Sequence, residues 1–150
     1  MRWYHRDVSG LSISRRDSFF LAAAALAGCG AAPQLPPGIF PTTADGGWKL
    51  VEAHDLGEGE APDPVPRSAI LRVRTASYKG PGELEAHIYL LDAAATGETL
   101  AQRWRPSADT VFFDKGPYFV VVRWQDGDRR ALQSFVAELQ RHLDRVVGKR

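Results

Sequence analysis

A chain of 150 residues, 44% apolar and 25% charged, suits one soluble globular domain of ordinary size and excludes two large ones. Its 19 basic and 18 acidic residues leave a formal charge of +1. That lacks the basic excess with which nucleic-acid binders meet phosphate, so nucleic acid is not an expected partner. The single cysteine, Cys29, excludes an intramolecular disulfide framework and any multi-cysteine metal site.

The amino-terminal zone is basic, with Arg2, Arg6, Arg15 and Arg16 set against Asp7 and Asp17. Ten residues without charge follow, Phe19 to Gly28. That run has the length of a signal-peptide apolar region and falls short of the roughly 20 residues that span a bilayer. It ends in Leu26-Ala27-Gly28-Cys29, and here the chain resembles a bacterial lipoprotein precursor, whose lipobox has Leu at −3, small residues at −2 and −1 and Cys at +1. The resemblance implies diacylglyceryl transfer to the Cys29 thiol, cleavage before Cys29 and acylation, commonly by palmitate, of the new amino terminus. Acyl chains contribute roughly 0.8 kcal/mol per buried methylene, enough in combination to hold a domain on a membrane without a spanning helix.

Upstream, Ser14-Arg15-Arg16-Asp17-Ser18-Phe19-Phe20 resembles a twin-arginine export motif, with the aromatic one place late and the trailing lysine absent. Sec export with a chance arginine pair stays open beside it. Gly30, where an Asp would favour inner-membrane retention in the lipoprotein family, favours the outer membrane in a two-membrane host. Three parts result: residues 1–28 as a cleaved signal peptide, 29–47 as the lipidated cysteine and a flexible Pro- and Gly-rich tether, and 48–150 as one domain. Removing residues 1–28 takes away four basic and two acidic side chains and leaves 122 residues with 15 basic and 16 acidic ones.

Within the domain, Trp48 to His54 reads as a short strand at a sheet edge, and Leu56 to Pro66 carries too many breakers for regular structure. Ser68 to Tyr78 and Glu83 to Asp92 alternate with period two around Lys79-Gly80-Pro81-Gly82, a hairpin signal. Ala93 to Trp104 favours helix and is stopped at Pro106. Thr110 to Asp114 and the Val-rich, aromatic Tyr118 to Trp124 form a second hairpin. Asp128 is placed to cap a last helix whose Leu132, Phe135, Val136, Leu139, Leu143 and Val146 recur at intervals of three and four. The order ββαββα, with room for an extra leading strand, predicts an α+β two-layer sandwich: an antiparallel sheet of 4–5 strands carrying two helices on one face. The segment from Val111 to Val122 and the helix after it resemble uncharacterised exported lipoprotein domains of environmental bacteria, a likeness that confers no activity.

No nucleophile elbow, phosphate-binding loop or zinc helix appears, so no catalytic, cofactor or metal site is expected and the chain is not read as an enzyme. Glu85 and His87 share a strand face, but a metal needs three or more convergent ligands. By alternation the sheet face away from the helices carries Arg72, Arg74, Glu85, His87, Tyr89, Phe112, Phe119 and Arg123, a mixture of arginine and aromatics suited to recognition. That face is equally open to solvation or to cover by residues 48–66. The expectation is a membrane-anchored protein of the bacterial cell envelope, facing the periplasm or the exterior, that acts as a non-enzymatic binding or assembly module of unknown ligand, with an envelope protein or a second copy of the chain as its partner. An accessory subunit of an envelope enzyme and a homodimeric structural lipoprotein are the alternatives.

Overall fold

The chain divides into two units, residues 1–31 and 32–150, and the computed structural model describes residues 33–57, 59–62 and 65–148. Arg15, Arg16, the run Leu26-Ala27-Gly28 and Cys29 lie outside the described residues. The elements are β1 (Thr43–Ala44), β2 (Trp48–Leu56), β3 (Ile70–Lys79), β4 (Glu83–Leu91), α1 (Ala94–Arg103), β5 (Thr110–Lys115), β6 (Tyr118–Gln125) and α2 (Arg129–Val147), with a 3-10 turn at Arg67–Ala69 ahead of β3. The strands make one six-stranded antiparallel sheet in the order β1-β2-β3-β4-β6-β5, curved as a half-barrel.

The expected sandwich of four or five strands with both helices on one face does not form. The two helices lie on opposite faces. On one side Phe135, Leu139 and Leu143 of α2 pack with Trp48, Tyr78, Ala86, Ile88, Val120 and Val122. On the other, Leu100 and Ala101 of α1 and Trp104 beyond it pack with Val73, Tyr89, Leu91, Phe119 and Val121. The reason is in β6, where the five residues from Tyr118 to Val122 are all buried. A strand apolar on both sides needs cover on both, and a single helical layer supplies only one.

The α2 layer is the larger. Asp128 caps the helix by accepting a bond from the Arg130 backbone N–H at 3.2 Å, and each fully buried Phe or Leu on its inner stripe contributes about 2 kcal/mol. The Trp48 indole donates to the Ala131 carbonyl at 3.0 Å and joins the start of α2 to β2. Gly46, with φ of +91°, lets the loop between β1 and β2 come this close: a Cβ there would stand 2.8 Å from the Ala131 carbonyl oxygen.

Residues 33–47, expected as part of a tether, send Leu35, Ile39 and Phe40 into the same core. Three bonds to carbonyls hold this stretch: Tyr78 Oη donates to Pro41 at 2.8 Å, Arg74 Nη1 to Pro36 at 3.3 Å, and His142 Nε2 lies 2.7 Å from the oxygen of Gly38. A Pro-rich composition marks an extended path, but the apolar Leu, Ile and Phe within it have a sheet face to bury against.

Candidate functional site

Two hairpin turns decide which side chains share the face on the α1 side. Lys79 pairs with Glu83 across three turn residues, so odd positions of β3 face the same way as odd positions of β4. Lys115 pairs with Tyr118 across two, which sets even positions of β5 beside odd positions of β6. Three rows of paired residues cross the face. Leu56, Val73, Tyr89, Phe119 and Asp114 form the row under α1; His54, Thr75, His87, Val121 and Phe112 form the next; Glu52, Ser77, Glu85, Arg123 and Thr110 form the third. The face thus passes from apolar and covered to charged and open within two strand repeats.

The structure separates the eight residues expected on one recognition face. Arg72 and Arg74 pair with Leu90 and Ile88 and belong to the α2 side, where Arg74 makes an ion pair with Asp55 of β2, Nη2 to Oδ2 at 3.0 Å. That guanidinium holds the Asp55 carboxyl below its ordinary range. Their alternation is interrupted by an irregularity between Ile70 and Arg72, so Ile70 packs on the α1 side while Leu71 meets the α2-side core. Tyr89 and Phe119 are on the expected face but fully buried beneath α1, and Phe112 is stacked on Phe119 at a centroid distance of 5.6 Å with Trp104 at 4.8 Å. Tyr89 Oη donates to the Pro62 carbonyl at 3.0 Å, so the loop after β2 closes over this end. Only Glu85, His87 and Arg123 meet at the open end.

Glu85 and Arg123 line an open groove of about 770 Å³ whose charged lining is Glu52, Lys79, Glu83, Glu85, Asp109 and Arg123. Four carboxylates face two cations, an acidic balance. His87 lies one row inward from Glu85, below the surface. Its side chain is 3% exposed, and neither ring nitrogen has a hydrogen-bond partner. The Glu85 carboxylate is 3.5 Å from Nε2 and also 3.5 Å from the Thr75 hydroxyl, at the outer limit for either contact. Burial holds the His87 imidazole below its ordinary titration range; Glu85 opposes that shift and Arg123 adds to it. A neutral, buried and unsatisfied imidazole costs about 1–3 kcal/mol, and it offers one donor and one acceptor to whatever reaches it.

Sequence reasoning passed over Glu52, Thr75, Ser77 and Asp109. The three-residue turn between β3 and β4 is the signal that would have found Thr75 and Ser77 beside His87 and Glu85. Among the described residues no three His, Cys, Asp or Glu side chains converge to hold a metal ion, and no described helix is long and apolar enough to cross a membrane. Comparison of the chain with protein-family models, curated proteins and solved structures finds no match in any of the three.

Proposed function

We propose that this chain is a lipid-anchored protein of the bacterial cell envelope whose folded part is a non-enzymatic binding module, and that its ligand is a small molecule bearing ammonium and hydroxyl groups. The groove's charged lining carries the reading, four carboxylates against two cations, with His87 one row inward beside Glu85 and neither of its ring nitrogens hydrogen-bonded. The carboxylates of the lining favour a cation, and the Ser77 hydroxyl adds neutral hydrogen bonding. The anchoring half rests on Leu26-Ala27-Gly28-Cys29 and the basic, apolar leader before it.

Glucosamine is a suitable probe, with glucose as its neutral counterpart and succinate as an anion. Titrated into the full chain and followed by NMR, glucosamine should move the ring signals of His87 more than glucose does, and succinate should move them least. Equal responses to all three, or none, would reject the site. For the anchor, Cys29→Ser should release the protein from the membrane fraction and remove the acyl mass; unchanged fractionation and mass would reject it.

A further inference from the structure

The two edges of the sheet differ. At one edge stands β1, two residues long; at the other stands β5, six residues long and paired only with β6. The Asp109 carbonyl accepts from the Trp124 N–H at 3.0 Å. Antiparallel bonding repeats every second residue, so Val111, Phe113 and Lys115 bond inward to β6, while Thr110, Phe112 and Asp114 turn their backbone groups outward. The Thr110 N–H is taken by Ser107 at 3.1 Å. For the outward groups of Phe112 and Asp114 there is no backbone partner among the described residues. The strand has no proline and no bulge, its two charges, Asp114 and Lys115, stand at its carboxyl end, and α1 packs over its face beside Asp114. Beside the strand, between β5 and α2, runs a groove of about 410 Å³ in which the apolar Val111, Trp124, Leu132 and Val136 stand beside the polar Arg129 and Gln133.

We infer that β5 is the pairing edge for a second copy of this chain, joined antiparallel about a two-fold axis at Phe112. The occupant follows from the strand's complementarity to itself. Two-fold pairing that keeps each face continuous sets residues of like parity opposite one another, and centring on Phe112 matches them by chemistry. Thr110, its hydroxyl held by Ser107 and Asp109, then lies opposite the partner's Asp114. Val111 lies opposite the partner's Phe113, both above the groove. Centring one residue later, on Phe113, sets Phe112 against a carboxylate and Val111 against Lys115, which wastes both apolar side chains. In the favoured register the stack of Phe119 on Phe112 continues across the axis into the partner's Phe112.

The test uses the full chain with Cys29→Ser, so that no acyl group drives association. Sedimentation should show a monomer–dimer equilibrium, and the Phe112 and Asp114 amides should be protected from hydrogen exchange in proportion to the dimer present. Asp114→Pro removes only an outward N–H, a position where an edge strand tolerates proline, and should weaken dimerisation about thirtyfold at unchanged melting temperature. A wild-type chain that stays monomeric at every soluble concentration overturns the inference. So does a dimer in which those two amides exchange freely, which places the contact elsewhere. Protection of both amides in a monomer would assign the edge to another segment of the same chain and would equally overturn it. Should Asp114→Pro fail to fold, the exchange measurement on the Cys29→Ser chain decides alone.

Discussion

The two faces of the sheet are closed in different ways. On the α2 side a 19-residue helix with Phe135, Leu139 and Leu143 fully buried, together with Leu35, Ile39 and Phe40, seals the sheet. On the α1 side a ten-residue helix with one buried residue, Gly97, covers only the rows nearest Tyr89 and Phe119 and leaves the last row to water. Stability therefore resides mainly on the first face, while the second has room for a site. A half-covered sheet can hold polar side chains at the rim of its own core, and His87 sits at that rim.

Phe135→Ala should give the largest effect. Removing a fully buried aromatic from the α2 side should destabilise by about 3–5 kcal/mol in denaturant unfolding. Trp104→Ala takes a half-buried ring from Phe112 and Phe119 on the α1 side, and its loss should be smaller, about 2–3 kcal/mol. If the two losses are equal, the faces do not differ as described.

His87→Leu works in the opposite direction. Replacing an unsatisfied imidazole by an apolar side chain should stabilise the unliganded protein by about 1 kcal/mol. A destabilised variant would mean that the imidazole is satisfied in solution. The same residue sets a pH dependence. Because burial holds the folded-state pKa below the ordinary 6.5, the unfolded chain binds the proton first. The contribution of His87 is intact above pH 6.5 and is lost as the pH falls below it toward the folded-state value. Melting temperature measured across that window should therefore fall with pH in the wild type and fall less in His87→Leu. Glu85, Arg123, His54 and Glu52 share the face with His87, so Glu85→Gln should steepen the fall by removing the charge that favours the imidazolium. The smallest effect is expected from Asp55→Asn on the α2 side, below about 1 kcal/mol, since its ion pair with Arg74 is half exposed and solvent-screened.

Much of this contrast was legible in the chain. The stripe from Leu132 to Leu143 placed α2, alternation placed β3 and β4, and the Val-rich aromatic run placed β6. The division between faces was legible too, but in the turns: with three residues between Lys79 and Glu83, Arg72 and Arg74 fall in line with Leu84, Ala86 and Ile88 and cannot share a side with His87. What misled was the assumption that one face of the sheet is core and the other is not. In β6 the unbroken run from Tyr118 to Val122 argues for cover on both. The burial of His87 had no local signal, because it depends on the order of strands on either side and on how far α1 reaches. The packing of Leu35, Ile39 and Phe40 was hidden by prolines, which describe the path of a backbone and not where its side chains end.

That packing shortens a leash. If Cys29 is held in a bilayer, the first fixed side chain is Leu35, six residues further on, and a fully extended chain covers roughly 20 Å over that distance. Confinement to two dimensions would raise the local concentration of neighbouring copies and with it the share of chains paired edge to edge.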